Sequence, residues 1–316
     1  MSHFLVMVIG DDPETQLAPF HEFECTGQDD QYVQDIDETE GSKEDYEKLL
    51  KTRQERKEKA VVAGSAEEEE EEMTYLYYVT EYCGRTLVPF GESPDLEKKH
   101  KYGYALVDEQ GNVTKVVNRT NPNAKWDWYS LGGRYSGRLA VKEGAEGKEG
   151  EPGVFDNQTG IDQARKGDID FESMREEERQ DACDAYDRFA RATKGHPWPE
   201  SWKNVLERYG VERIDEARAF YRNQPMVKAM NETREFTLSS PDDYGQDRDQ
   251  YVKKRVESRG VPFAFIKDGQ WHERGEMGWW AVVTNEMDKK TWVGEFWKMF
   301  NALPDDTLIS MYDCHI

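Results

Sequence analysis

The sequence has few cysteines, no long apolar run and none of the common motifs of nucleotide-binding proteins or hydrolases. Its four cysteines, at positions 25, 83, 183 and 314, form no CxxC pair, which argues against a zinc knuckle, a redox pair or a disulfide framework. No apolar run approaches the ~20 residues of a membrane span, and the first residues lack the features of a signal peptide. We therefore expect a cytoplasmic protein without a membrane partner.

Catalytic and metal-binding signatures are also missing. The patterns G-x-G-x-x-G, G-x-x-x-x-G-K-[ST] and G-x-S-x-G do not occur. The six histidines are scattered and include no H-E-x-x-H spacing. From these absences we predict no catalytic residues, no metal site and no cofactor.

Negative charge, by contrast, is abundant and unevenly distributed. Residues 1–72 contain 22 acidic and 7 basic residues, so this quarter of the chain carries −15 of the net −23. A field of this sign repels nucleic acid and anionic lipid and attracts basic protein surfaces. We expect a basic protein partner and no direct nucleic-acid partner, and the alternative is a solvated acidic segment that only maintains solubility.

Hydrophobic patterning and breakers divide the chain into five regions. These are 1–40, an N-terminal strand with a wrapping segment; 41–99, an acidic helical arm or linker; 100–169, a hairpin and an aromatic-glycine motif; 170–258, a helical insertion; and 259–316, a C-terminal hairpin and β-α-β unit. We predict an α+β fold, in which 259–316 shares a mixed, mainly antiparallel sheet with 1–10 and 100–140. The acidic arm and the helical insertion should lie outside that sheet.

Individual elements follow from local signals. In the arm, Ser42 and Asp45 approximate a capping box for a helix over 42–60, whose thin apolar stripe predicts an exposed or projecting helix. Short glycine-containing loops predict hairpins over 102–117 and 261–271.

Longer elements are predicted from the hydrophobic period. Apolar spacing predicts helices over 171–193 and 202–221. The β-α-β unit is predicted as strand 279–284, helix 288–303 and strand 307–312.

The stretch NPNAKWDWYSLGGRYSG, residues 121–137, concentrates aromatic side chains beside flexible backbone. As a binding surface it would offer aromatic platforms, exposed backbone amides and an arginine fork for an anion or a base. As a structural element it would be a bulged strand with both tryptophans on one face in the core and Asp127 paired with Arg134, and we favour this interpretation. The candidate binding residues are Trp126, Asp127, Trp128, Tyr129, Gly132, Gly133 and Arg134.

The chain ends in Asp313-Cys314-His315, residue types that occur in cysteine–histidine chemistry. A nucleophile and its base need hydrogen-bond geometry, whereas adjacent residues of a strand point to opposite faces. We therefore do not predict a catalytic dyad here.

Four segments together resemble a family of uncharacterised phage and prophage proteins. They are MSHFLVMVIGDDPETQLAPFHEFECTG, PNAKWDWYSLGGRYSG, KGDIDFESMR and the ending DCHI. The resemblance covers the first forty residues, about 100–140, about 165–175 and the C-terminus. It brings no catalytic residues to carry over, but it implies phage origin and the cytoplasm of an infected bacterium.

Phage origin favours an inhibitor of host defence. We predict a non-catalytic interaction protein that binds a bacterial defence complex with a basic surface, of the nuclease or DNA-sensing type such as Gabija, with homo-oligomerisation left open. Acidic residues would steer association and exposed aromatics would anchor it. The partner-facing candidates are Glu67, Glu68, Glu69, Glu70, Tyr75 and Tyr77, with Tyr32 and Tyr78 as further anchors. The alternatives are a nucleotide- or nucleic-acid-processing enzyme using the 126–134 motif and a virion structural or assembly protein.

Overall fold

A computed structural model describes residues 2–24, 26–62, 73–153, 159–236, 239–278 and 282–316. The strands are β1 (His3–Ile9), β2 (Gln34–Asp37), β3 (Thr86–Val88), β4 (Gly103–Val107), β5 (Val113–Thr120), β6 (Trp128–Gly133), β7 (Lys148–Glu149), β8 (Glu151–Pro152), β9 (Ile161–Arg165), β10 (Ala264–Lys267), β11 (Gln270–Glu273), β12 (Glu276–Met277), β13 (Val283–Thr284) and β14 (Leu308–His315). The helices are α1 (Pro13–Leu17), α2 (Thr39–Val62), α3 (Tyr75–Tyr77), α4 (Phe171–Ala192), α5 (Trp202–Tyr209), α6 (Ile214–Asn223), α7 (Pro225–Asn231), α8 (Pro241–Tyr244), α9 (Arg248–Ser258) and α10 (Lys289–Asn301). The fold is α+β with mixed, mostly antiparallel sheets, which confirms the predicted class.

The largest sheet has eight strands, and its central path runs β11-β10-β1-β14-β6-β8. Strand β1 lies between β10, which is parallel to it, and β14, which is antiparallel. The long strand β14 pairs on its other edge first with β9 and then with β6. Both chain ends therefore lie in the middle of the sheet, where alternate residues of β1 and β14 are buried on each face.

Each face of this sheet has its own core. On one face, helices α4 and α10 cover Met7, Ile309 and Met311 with large aromatic side chains. On the other face, Leu17 and Phe20 from the N-terminal wrapping segment cover a cluster that includes Cys314 of β14. The hydrophobic burial on both faces fixes the register of β1 and β14, because a one-residue slip would reverse every side chain.

The hairpin of β10 and β11 is confirmed, with Asp268 and Gly269 at positive φ in its two-residue turn. The predicted β-α-β unit is wrong in its first strand. Part of that strand, 279–281, falls outside the described residues, and β13 pairs only with β12 in a separate two-stranded ribbon. Instead, α10 connects β11 to β14, which run in the same direction with β10 and β1 between them.

The hairpin of β4 and β5 forms as predicted but belongs to another sheet, so the expected sharing of one sheet by all of 100–140 is wrong. This second sheet has the order β2-β5-β4-β3. Strand β5 continues far enough to pair with β2, and the chain then turns at Asn121, whose side-chain amide donates to the carbonyl oxygens of Pro19 and His21. Only after this turn does β6 enter the large sheet.

Helix α2 packs on the second sheet rather than projecting freely. Tyr46 and Leu49 contact a core that contains Ala105 and Val116 of that sheet. The helix begins at Thr39, three residues before the predicted capping box, and the side chain of Asp37 accepts hydrogen bonds from both the Thr39 amide and its hydroxyl. The thin apolar stripe is sufficient for docking because Met73, Tyr78 and Val79 of the next described segment complete the same core.

The helical residues between 171 and 258 form a core of their own around Phe189, Met230 and Phe236. The helix predicted over 202–221 is divided at Gly210, whose φ of 77° ends α5 before α6 begins. Among the described residues, none of the helices combines the length and apolar character needed to cross a membrane.

Candidate functional site

Three central strands place a row of aromatic and imidazole rings at one end of the large sheet. His3 of β1 is directly opposite His315 of β14, and His315 is directly opposite Trp128 of β6. Directly opposite residues of antiparallel strands place their side chains on the same face. The row lies on the face covered by α4 and α10, beyond the end of the apolar core.

Each of the two imidazoles is held by its own carboxylate. Nδ1 of His3 lies 2.9 Å from Oδ1 of Asp313, and Nδ1 of His315 lies 2.6 Å from Oδ1 of Asp127. An ionised carboxylate only accepts hydrogen bonds, so each Nδ1 carries the proton in these pairs. The neutral form of both rings therefore has a lone pair on Nε2, the atom that accepts a proton or binds a ligand.

The two rings are close enough to act on one ligand. Their centroids are 4.9 Å apart and the ring planes are inclined by 67°. The ring of Trp128 meets His3 edge-on at 6.1 Å. Within the described residues, Nε2 of neither histidine has a hydrogen-bond partner.

Asp313 is buried, with 1% of its surface exposed, and its carboxylate contacts two other parts of the site. Its Oδ1 receives the hydrogen bond from His3, and its Oδ2 accepts one from the backbone amide of Arg134, at 2.9 Å. Gly133, with a φ of 54°, allows this approach, because a Cβ there would lie 2.7 Å from Cβ of Asp313. The glycine of the motif is therefore required by the packing of a site carboxylate.

A second buried carboxylate, Asp162, fixes the loop that follows. It accepts hydrogen bonds from the Ser136 hydroxyl and from the amides of Gly137 and Arg138, at 2.8–3.0 Å. Burial raises the pKa of Asp162, and these hydrogen bonds oppose that rise. A Cβ at Gly132 would lie 2.4 Å from its Oδ2, so both glycines of the pair make room for a carboxylate.

The two tryptophans of the motif lie on opposite faces, which corrects the prediction that both fill the core. Trp126 is 2% exposed, stacks on His21 at 4.2 Å and donates from Nε1 to the carbonyl oxygen of Leu17. Trp128 is 47% exposed. Trp126 pairs with the 20–21 segment before β6 begins, so the alternation of a single strand does not extend across both residues.

The predicted pairing of Asp127 with Arg134 is also wrong. Asp127 binds His315, and Arg134 is exposed and contributes its backbone amide to Asp313. Tyr129 lies on the other face, in the core with Tyr312, where burial raises its pKa. The motif is thus partly structural, through Trp126, Tyr129 and the glycines, and partly exposed at the site.

Cys314 supports the expectation that the C-terminal tripeptide is not a cysteine–histidine dyad. Its side chain is fully buried on the face opposite to His315, and burial raises the thiol pKa well above its ordinary value. A thiol in this environment is a poor nucleophile.

The candidates predicted to face a partner differ in their exposure to solvent. Glu67, Glu68, Glu69 and Glu70 lie outside the described residues. Tyr77 is 47% exposed, whereas Tyr75 is partly buried, with its hydroxyl 3.1 Å from Oγ of Ser42. Tyr78 is buried against α2, so it does not provide the exposed anchor expected of it.

His3 and Asp162 were not predicted from the sequence, and Asp313 and His315 were considered only as parts of a cysteine–histidine dyad that was not predicted. One signal was present: Asp313 and His315 are two residues apart, so they share a face once the last strand extends to the C-terminus. The partnership with His3 joins residues at opposite ends of the chain and has no local signal. Among the described residues, no group of three metal-ligating side chains is arranged to hold a metal ion.

Parts of three of the four segments that carry the phage resemblance, MSHF, WDWYSLGGRY and DCHI, therefore meet at one site. No protein-family model, curated protein or solved structure matches the chain.

Proposed function

We propose that the histidine pair and its surroundings bind a nucleotide and catalyse attack at its phosphate. The observation that carries this proposal is the pair of imidazoles 4.9 Å apart, each bound through Nδ1 to a carboxylate. Two such rings can supply a general base and a general acid, because a neutral imidazole accepts a proton at Nε2 and an imidazolium donates one.

In this proposal one neutral imidazole accepts a proton from a water molecule or ribose hydroxyl that attacks phosphorus. The other imidazole, protonated, donates a proton to the oxygen that leaves as the new P–O bond forms and the old one breaks. Proton number is conserved, and one further exchange with water restores both rings. Asp313 and Asp127 are positioning residues that hold the rings through Nδ1.

Trp128 and Arg134 would bind the rest of the nucleotide. An exposed indole beside the histidines is a surface on which a base stacks, a contact worth about 1–3 kcal/mol in other proteins. Arg134 is exposed directly after the glycine pair, where its guanidinium is available to a phosphate.

The experiment is turnover of a panel of mononucleotides, cyclic nucleotides and short oligonucleotides by the purified protein. His3→Asn and His315→Asn should each lower turnover by about 10²- to 10⁴-fold, the range of general acid–base catalysis. The control is His196→Asn, because His196 is exposed on the helical region away from the site. Thermal unfolding checks that all three variants remain folded.

Wild-type protein that neither binds nor converts any member of this panel would contradict the proposal. Equal turnover by wild type and both site variants would contradict it as well. Asp127→Asn separates positioning from structure: a positioning role lowers kcat and changes the pH profile while KM is retained.

A second candidate function is the non-catalytic inhibition of a bacterial defence complex by direct binding. It is favoured by the surface around the second sheet, where exposed acids of α2 such as Glu44 and Glu47 accompany apolar side chains. Of the twelve large hydrophobic residues exposed in the described part of the chain, seven lie between 50 and 102. These seven are Leu50, Leu76, Tyr77, Tyr82, Phe90, Leu96 and Tyr102.

The test is a titration against the defence complex recovered by pull-down from infected cells. Stoichiometric inhibition is expected, and Tyr77→Ser with Tyr82→Ser should weaken it, whereas Val211→Ser, another exposed apolar residue, should not. Replacing Glu67 to Glu72 by Gln should slow association and flatten its salt dependence. Full inhibition at a small fraction of molar equivalence would instead indicate turnover.

A further inference from the structure

Two arginines, Arg138 and Arg259, lie near the histidine site. Arg138 is half-buried, and its guanidinium forms no ion pair with any residue in the described ranges. Its backbone amide, not its side chain, binds Asp162. The guanidinium lies over the ring of Tyr135, 5.4 Å from the centroid. The ring of Tyr135 thus positions the Arg138 guanidinium.

Among the charges around Arg138, Arg259 repels its guanidinium, whereas Glu178 and Asp162 attract it more weakly. Burial and then the positive charge of Arg259 lower the pKa of Arg138. Within the described part of the chain, the one ion pair of the Arg259 side chain is a long contact with Glu177, at 3.9 Å, while Glu178 pairs with Arg255. Two neighbouring guanidinium groups in a partly buried place are unfavourable unless an anion joins them.

Tyr135 connects Arg138 to the histidine site. Its hydroxyl donates to the backbone carbonyl oxygen of His3, at 3.0 Å, while its ring carries the guanidinium of Arg138. Arg259 precedes the segment in which Phe263 donates its amide to the carbonyl oxygen of Leu5, two residues after His3. Arg138 is therefore linked to β1 at His3 through the Tyr135 side chain, and Arg259 precedes β10, which is parallel to β1, at the same end of the sheet.

The overall charge limits the size of the ligand. A long nucleic acid would extend far beyond this end of the sheet into the field of a chain with a net charge of −23. A small ligand is held within the local positive site, since screening limits the remaining field to about 8 Å at physiological salt.

We propose that Arg138 and Arg259 bind a second phosphate of the ligand whose first phosphate lies at His3 and His315. The preferred ligand is then a small nucleotide with two separated phosphates, a dinucleotide, with one base on Trp128. This inference rests on the proposed nucleotide site and names the class of nucleotide that it selects.

Calorimetry measures the binding of AMP, of the dinucleotide pApA and of an oligoadenylate twenty nucleotides long. Wild type should bind pApA about tenfold or more tightly than AMP, the expected gain from one charge-assisted contact to phosphate. Arg138→Gln and Arg259→Gln should each remove most of this gain while leaving AMP affinity unchanged. The matched control is Arg222→Gln, an exposed arginine on α6.

The outcomes separate this inference from the proposed function. If AMP binds to the wild type and Trp128→Ala weakens that binding, but pApA binds no more tightly than AMP, the second subsite is refuted and the nucleotide site stands. Equal weakening of AMP and pApA by both arginine variants would also refute the subsite. Failure of every probe to bind wild type would refute both, and tighter binding of the oligoadenylate than of pApA would refute the preference for a dinucleotide.

Discussion

The large sheet and the second sheet use charge in opposite ways. At the end of the large sheet, Asp313 and Asp162 are buried and every contact they make fixes another part of the site. On the second sheet, the charges of α2 are exposed and pair with neighbours one turn away, as Lys43 does with Glu40. Buried carboxylates determine geometry, whereas exposed ones chiefly set the electric field.

The tryptophans of the motif give the sharpest way to test this difference between buried and exposed groups. Trp126→Ala should lower the free energy of unfolding by about 3–5 kcal/mol, because it removes a buried ring from the core. Trp128→Ala should change it by only about 0.5 kcal/mol, because the ring is half-exposed. Urea unfolding measures both. Equal destabilisation would mean that Trp128 is part of the core, contrary to its place at the site.

Replacing a buried carboxylate should also destabilise the protein more than replacing an exposed one, by a smaller difference than for the two tryptophans. Asp162→Ala leaves two backbone amides and one hydroxyl without an acceptor and should destabilise the protein by about 2–4 kcal/mol. Asp45→Ala on α2 removes only an exposed pair with Lys48 and should change stability by less than about 1 kcal/mol. Thermal or urea unfolding of the two variants side by side provides the measurement. Similar losses would show that the Asp162 network contributes no more than a surface pair.

The fold could be predicted where its signals were local. The turn at Asp268-Gly269 and the apolar stripe of 171–193 were sufficient for a hairpin and for α4. The division of strands between two sheets was not predictable, because the partner of β5 is β2, about eighty residues away. Strand patterns show which face is buried, but they do not show which distant strand supplies the neighbour.

For the site, the motif residues Asp127, Trp128 and Arg134 were among the predicted candidates, but the side chains that contact them were not predicted. His3 and Asp313 are 310 residues apart, and only the pairing of the first and last strands brings them together. The glycines were predicted only as flexible backbone with exposed amides, and the two buried carboxylates that approach them come from other strands.

The smallest predicted effect is a loss of stability at alkaline pH that arises from the Cys314 thiol. Burial, and then the charge of Asp313, raises the pKa of the Cys314 thiol above its ordinary value of 9.0. Above about pH 9 the thiol ionises in the unfolded chain but not in the folded one, so stability falls as pH rises, by at most about 1.4 kcal/mol per pH unit. Urea unfolding between about pH 8 and pH 10.5 should show a shallower decline for Cys314→Ala.

The difference in exposure between Cys83 and Cys314 can be checked by chemical labelling. Cys83 is exposed and should react with iodoacetamide in the native protein, whereas Cys314 should react only after unfolding. Peptide mapping distinguishes the two positions. Rapid labelling of native Cys314 would contradict its burial and the assignment of the two faces of β14.

The central claim is that His3 and His315 are ligand-binding rings held by their carboxylates, and nitrogen NMR of the histidine side chains tests it most directly. In protein labelled with ¹⁵N-histidine, both neutral rings should carry the proton on Nδ1. Addition of AMP should shift their Nε2 resonances while that of His196, the exposed control, stays unchanged. A proton on Nε2 of either neutral ring, or spectra of both rings that are unaffected by AMP, would contradict the account.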